Sequence, residues 1–136
     1  MTTQGNWYRT YGADGYNVSQ DANVLTPAYA VTSFIGSHNY IWAATTSNVR
    51  APQRPEAFTS RIAAVWYGWK NYTIDMNLTD GKLHQIALYA LDWDSTVRAE
   101  TIEVHDATTS ALLDTRDLPI GSSITASIWY GISVAM

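Results

Sequence analysis

The chain has 136 residues, of which 15% are charged and 12% aromatic, with a formal net charge of −4 and no cysteine. A length in this range predicts a single domain, here residues 1–136, with one main core. The lack of a Lys/Arg cluster argues against nucleic acid and anionic membrane as partners. The lack of cysteine excludes disulfides, thiol catalysis and cysteine-based zinc sites.

Alternation with a two-residue period predicts an all-β chain. The clearest alternation is at residues 72–78, and an Asp-Gly turn at 80–81 follows it, so residues 72–78 and 83–91 are predicted to pair as a hairpin. In the segment 98–105, Ile102 and Val104 are predicted to point inward. Turn signals separate the other candidate strands, at 28–35, 40–44, 61–67, 111–115 and 124–134.

Two further segments have alternative interpretations. Residues 49–58 contain two prolines and form either a functional loop or an ordinary crossover between sheets. The N-terminal segment is rich in aromatic residues, which we expect to pin it to the core. Trp42 and Trp129 lie at alternating positions of strands and are also expected in the core.

Several motifs occur in an order and spacing that resemble a known module: GNW at 5–7, YGADGYNV at 11–18, YIWAATTSNVR at 40–50, RIAAVWY at 61–67, NLTDG at 77–81, LYALDWDS at 88–95 and LDTR at 113–116. The chain resembles a bacterial galactose-binding-like or malectin-like β-sandwich module, of the kind appended to secreted carbohydrate-active proteins. The resemblance implies a jelly-roll β-sandwich that binds a polysaccharide or glycan. It also implies an extracellular location if the chain is part of a larger secreted protein, although no signal peptide is predicted.

In the resembling module a further closing strand follows the region of Trp129, whereas this sequence ends at Met136. The resemblance therefore implies a sandwich that lacks its last strand or receives it from another chain. An open sheet edge invites pairing, so a homodimer is an expectation.

Two aromatic clusters have the residue types for sugar recognition, which needs flat rings and planar polar groups. In the first, alternation buries one of Trp66 and Tyr67, and Gly68 begins a turn that presents Trp69 to solvent. The predicted ligand-binding residues from both clusters are Tyr67, Trp69, Asn71, Trp93, Asp94 and Arg98.

The second cluster, around Trp93, has a competing interpretation. Asp92 and Arg98 could equally form a salt bridge that staples the loop, with Asx-type turns. The alternative function for the whole chain is a structural or protein-interaction domain without a sugar ligand, in which the aromatic residues serve packing and an interface.

The residues for catalysis or metal binding are few. His38, His84 and His105 lie in separate segments and are expected at the surface, and Asp92 and Asp94 are too close in sequence to flank a scissile bond. We therefore expect a non-catalytic protein without a cofactor. Jelly-roll domains often hold structural Ca²⁺, but the acids near turns do not define a site: Asp14, Asp21, Asp92 and Asp94.

Overall fold

A computed structural model describes residues 4–118 and, as backbone only, the strand at 127–132. The described part of the chain contains strands and no helix, which confirms the all-β prediction and agrees with a β-sandwich-like class. No described helix is long and apolar enough to cross a membrane. The strands are β1 Gly15–Asn17, β2 Ala30–Ile35, β3 His38–Thr46, β4 Arg61–Tyr67, β5 Thr73–Leu78, β6 His84–Tyr89, β7 Glu100–His105, β8 Leu112–Leu118 and β9 Ser127–Ile132.

All strand pairings are antiparallel. β3 pairs with β4 and β7 pairs with β8, and in both cases the two strands are consecutive in the chain. The other pairings are long-range: β2 pairs with β5, and β9 lies between β1 and β6. β9 is thus the central strand of its sheet, and among the described strands β1 and β6 lie at the edges.

The predicted hairpin of residues 72–78 and 83–91 is wrong, although both strands exist. The turn between them forms as expected, with a positive φ of 68° at Gly81 and a hydrogen bond of 3.1 Å from the Lys82 amide to the Asp80 carboxylate. However, β5 and β6 belong to different sheets and meet across a core cluster instead. Alternation specifies which face of a strand is apolar but does not specify its hydrogen-bonded neighbour.

Two apolar clusters form the core of the part of the chain that the structure describes. The first is built on Trp7, Val18, Ile62 and Ala64, and partly buried residues of β1 and β6 pack against it. The second surrounds Ala30 with side chains that β2, β5 and β6 contribute: Phe34, Ile74, Met76, Leu78 and Ile86. Strand β4 contacts both clusters. Its residues Ile62 and Ala64 belong to the first cluster. Its residue Trp66 stacks on Phe34 of the second cluster, with ring centroids 4.3 Å apart.

Residues 49–58 lie between β3 and β4, which pair with each other, so they belong to the long loop of a hairpin and the predicted crossover between sheets is wrong. This loop packs against the N-terminal segment. The Trp7 indole N–H donates to the Gln53 carbonyl at 2.9 Å, and Arg61 donates to the Ala51 carbonyl at 2.8 Å. Ala51 and Pro52 are buried. These contacts explain why Trp7 is almost fully buried, as predicted for the aromatic N-terminal segment.

The β7–β8 hairpin is largely exposed. Ile102 is half-buried as expected, whereas Val104 is 45% exposed, so its predicted inward position is wrong. Within the described residues these two strands pair only with each other. No sheet neighbour therefore carries Val104 toward the core.

Candidate functional site

The outward face of the β3–β4 hairpin carries a row of aromatic side chains. His38 lies opposite Tyr67, and Tyr40 lies opposite Val65, so these residues project from one face of the two-stranded sheet. A register shift between Ile41 and Ala43 places a β-bulge at Trp42. A bulge re-aims the side chain of the extra residue, and Trp42 lines the same surface as Tyr40.

The prediction that Trp42 belongs to the core is therefore wrong. Its ring is half-exposed and meets the Tyr40 ring edge-on at a centroid distance of 5.8 Å. The side chain of Trp129 lies outside the described residues.

Trp69 continues the aromatic row beyond the end of β4. It is 84% exposed, as the Gly68 turn predicts, and its ring meets Tyr67 edge-on at 5.6 Å and His38 at 6.1 Å. Trp66 is buried and Tyr67 half-buried, which confirms the predicted split between these neighbours. A Cβ at Gly68 would overlap the Asn71 carbonyl, so glycine is required for the tight turn that presents Trp69.

An ion-paired loop faces this aromatic row. The Arg98 Nη1 atom lies 2.8 Å from Asp92 Oδ1 and 2.6 Å from Asp94 Oδ1. The Asp92 side chain is fully buried, and its Oδ1 also accepts a hydrogen bond from the Ser95 amide at 3.1 Å. Asp92 and Arg98 therefore staple the loop, as the structural interpretation of this cluster proposed.

Asp94 is the exposed carboxylate of this network. The hydrogen bond from Arg98 lowers the pKa of the Asp94 carboxyl group, and the Trp42 side chain hydrogen-bonds the same carboxylate and lowers it further. The interaction also raises the pKa of Arg98. Asp94 therefore connects the stapled loop to the aromatic row.

Between the loop and the hairpin lies an open groove of about 320 Å³. Val65 is buried at its base. The walls combine aromatic rings with three charged groups, from Tyr40, Trp42, Tyr67, Gly68, Asp94, Arg98 and Glu100. This size is at the lower end of the range for small-molecule sites, about 300–1,000 Å³.

The groove brings together some of the predicted site residues and leaves out others. Tyr67, Asp94 and Arg98 line it, and Trp69 flanks it through its contact with Tyr67. Asn71 and Trp93 are not among the lining residues.

Trp93 has a cation above its ring. The Arg50 guanidinium carbon lies 5.0 Å from the centroid of the Trp93 ring, and Arg50 also donates to the Asp92 carbonyl at 3.1 Å. This cation–π contact occupies a ring face that sugar stacking would use.

Sequence reasoning missed Tyr40, Trp42 and Glu100. The pattern Tyr-Ile-Trp at 40–42 offered a signal for Tyr40, since its alternation places it with Tyr67. The bulge that turns Trp42 outward and the chain path that brings Glu100 to the groove have no local signature. The positions of Trp42 and Glu100 at the groove therefore depend on tertiary structure.

The histidines occupy three separate environments. His38 contacts the Trp69 and Tyr67 rings, whereas His105 lies 3.0 Å from Glu103, which raises the pKa of His105. His84 was predicted at the surface, but its side chain is only 7% exposed. The ring stacks on Tyr29 with centroids 4.0 Å apart, and its Nε2 atom lies 2.8 Å from Asp80 Oδ1. Tyr29, which packs against the second core cluster, therefore covers the ring.

The four acids near turns are engaged by protein groups. Asp14 accepts the Tyr29 hydroxyl, and Asp21 pairs with Arg54. Asp92 and Asp94 share Arg98. Within residues 4–118, no three His, Asp or Glu side chains are arranged to hold a metal ion.

Comparisons of the chain with protein-family models, with curated proteins and with solved structures found no match. The resemblance to galactose-binding-like modules therefore stays a prediction.

Proposed function

We propose that this protein is a non-catalytic carbohydrate-binding domain and that the groove beside the β3–β4 hairpin is its sugar site. The observation that carries this proposal is Trp69, which is 84% exposed and contacts the ring of Tyr67, a residue that lines a groove of aromatic rings and charged side chains. Contiguous exposed aromatic surface often marks a binding site, and Trp69 adjoins the Tyr67 ring that lines the groove. A pyranose ring has an apolar C–H face that can cover it.

The residue types around the groove suit the two kinds of surface that a sugar presents. Tyr40, Trp42 and Tyr67 offer flat apolar faces together with hydroxyl and indole groups at their edges. Asp94 accepts hydrogen bonds from sugar hydroxyls. Of the residues predicted from sequence, Trp93 is reassigned to packing against Arg50, and Tyr40 and Trp42 take its place as ring surfaces.

The charge state of the groove supports a binding role without catalysis. Glycoside hydrolysis needs one carboxyl group that is protonated and whose pKa is raised, paired with an ionised one. Arg98 instead lowers the pKa of Asp94, which keeps this carboxylate ionised. None of the three histidines is among the lining residues, although His38 contacts the Tyr67 and Trp69 rings beside the groove.

The proposal also covers the type of β-sandwich. We propose a galactose-binding-like jelly roll that tethers a larger secreted protein to a glycan outside the cell. The packed sheets and the long-range pairings of β2 with β5 and of β6 with β9 favour such a sandwich over a run of simple hairpins.

The test is a glycan screen by isothermal titration calorimetry with wild-type protein and the Trp69→Ala variant. Burial of a large apolar side chain is worth about 1.5–3 kcal/mol, so the variant should bind at least about tenfold more weakly. Leu83→Ala is the matched control, because Leu83 is 71% exposed and does not line the groove. Equal loss in both variants, or no binding of any glycan by the folded wild type, would contradict the proposal.

A protein-interaction domain is the second candidate, and exposed apolar side chains on strand surfaces favour it. Val31 and Ile35 on β2 are 62% and 58% exposed, and Leu112 and Leu113 on β8 are 55% and 64% exposed. Such surfaces and the strand edges beside them can pair with a second copy, as in the expected homodimer. Light scattering that gives a concentration-dependent dimer mass, together with a negative glycan screen, would favour this candidate.

A further inference from the structure

Strand β8 has one edge without a neighbour among the strands that the structure describes. Along its other edge it pairs with β7. Six of its seven residues are exposed, including Leu112 at 55% and Leu113 at 64%. An exposed strand edge presents unpaired N–H and C=O groups, which form a template for another strand. The outer edge of β8 is therefore a candidate surface for a partner.

The charges of β8 are complementary about its middle residue. The strand reads Leu-Leu-Asp-Thr-Arg-Asp-Leu, and Thr115 is the fourth of its seven residues. Asp114 and Arg116 flank Thr115 with opposite charges. If two copies pair antiparallel about Thr115, Asp114 of each copy lies opposite Arg116 of the other. Opposite charges at directly opposed positions stabilise an antiparallel pair, so the sequence of β8 matches itself.

Other symmetric registers of β8 lack this match. Directly opposed residues of an antiparallel ladder are either both hydrogen-bonded or both not, so the two-fold axis of a symmetric pair passes through a residue. An axis through Asp114, Arg116 or Asp117 places two like charges opposite each other. An axis through a leucine near either end pairs fewer residues of the strand and gives no Asp–Arg contact within it. Only the axis through Thr115 pairs all seven residues of β8.

The charged groups of β8 can serve a second copy at little cost. Arg116 Nε lies 2.9 Å from Asp114 Oδ2 within the same strand, and the two side chains are 73% and 47% exposed. An ion pair this exposed contributes little stability, so exchanging it for contacts between copies loses little. The neighbouring strand β7 offers no such match, because its charged or titratable residues are two glutamates and one histidine.

We infer that β8 is a dimerisation edge, at which two copies of this chain pair their β8 strands antiparallel about Thr115. The pairing joins the two four-residue and longer ladders into one sheet and places Leu112 of each copy opposite Leu118 of the other. A single pair of edge strands buries less area than a stable interface needs, so the dimer is weak and forms as concentration rises. This inference does not depend on the proposed sugar site.

Charge reversal tests the register by sedimentation equilibrium. The mass of the wild type should rise toward that of a dimer with concentration. Asp114→Arg and Arg116→Asp each place like charges opposite each other twice, so each should weaken dimerisation at least about tenfold. A mixture of the two variants should dimerise, because each opposed charge pair then joins an Arg to an Asp. The variant with both substitutions should dimerise as the wild type does.

Cysteine cross-linking tests the same register without a change of charge, in a chain that has no cysteine. Opposed residues have Cα atoms about 4.5–5.5 Å apart, which is within the range of a disulfide. Thr115→Cys should therefore give a disulfide-linked dimer under mild oxidation. Leu113→Cys is the matched control on the same exposed strand, because its two copies lie about 14 Å apart along the paired strands.

Circular dichroism checks the fold of every variant, and if a charge variant fails to fold, the cross-linking decides. Equal cross-linking of Thr115→Cys and Leu113→Cys, or none of either, would overturn the β8 dimer. A wild type that stays monomeric up to millimolar concentration, or a folded mixture of Asp114→Arg and Arg116→Asp that does not dimerise, would also overturn it. The glycan screen is a separate measurement, so failure of the dimer leaves the sugar site standing.

Discussion

Replacement of Arg98 by alanine should test whether the ion-paired loop is a structural staple. The Asp92 side chain is fully buried, whereas the Arg98 side chain is 45% exposed. Loss of a charge-assisted hydrogen bond costs about 1.5–3 kcal/mol, and removal of one partner of a fully buried ion pair costs about 3–5 kcal/mol. Because Arg98 is nearly half exposed, water can partly replace it, so we expect about 2 kcal/mol of destabilisation.

That loss corresponds to a measurable shift in melting temperature. For a chain of 136 residues, an unfolding entropy of about 2.1 cal/mol/K per residue gives a fall of about 7 °C. Urea unfolding followed by tryptophan fluorescence, together with thermal unfolding by circular dichroism, would measure both quantities. Asp94→Asn is the matched control, since Asp94 shares the same Arg98 but is 47% exposed, so its loss should cost less than about 1 kcal/mol.

A double variant separates the buried charge from the lost contacts. Asp92→Asn in the Arg98→Ala background removes the uncompensated carboxylate and retains an oxygen for the Ser95 amide. The double variant should therefore be more stable than Arg98→Ala alone. The buried-charge explanation is refuted if Arg98→Ala and Asp94→Asn lower the free energy of unfolding by the same amount. It is also refuted if the double variant is the least stable of the three.

Two further predictions concern groups near the groove. Burial raises the pKa of Tyr72 to about 12, above its value of about 10 in an unfolded chain, so stability is lost as pH rises from about 10 to about 12. Tyr72→Phe should remove that loss, about 1–2 kcal/mol, in urea unfolding across this pH range; an unchanged pH profile would contradict the assignment. Gly68→Ala should destabilise the protein by about 1–3 kcal/mol and weaken glycan binding through Trp69, because the new Cβ overlaps the Asn71 carbonyl. Gly81→Ala, where only a positive φ is unfavourable, should cost about 1 kcal/mol and leave binding unchanged.

Local patterns in the sequence were enough to predict every described strand except β1, and one main feature of the site. Alternation predicted β4 with its observed bounds, and it predicted that Trp66 and Tyr67 differ in burial without deciding which of them is buried. The Gly68 turn predicted an exposed Trp69. The composition of the 92–98 loop indicated that Asp92 and Arg98 could pair. Each of these features depends on residues that are close in sequence, where turn chemistry and a two-residue period act directly.

Only the tertiary structure decided which strands pair and which side chains meet. The alternation of β5 is equally satisfied by pairing with β6 or with β2, and the choice of β2 depends on a core shared by distant segments. The same limit applies to the site. A bulge turns Trp42 into the groove, and Arg50, 43 positions before Trp93, covers the ring that seemed available for a sugar. Periodicity fixes the face of a strand, whereas its partner and the contents of a groove are set by packing between residues far apart in the chain.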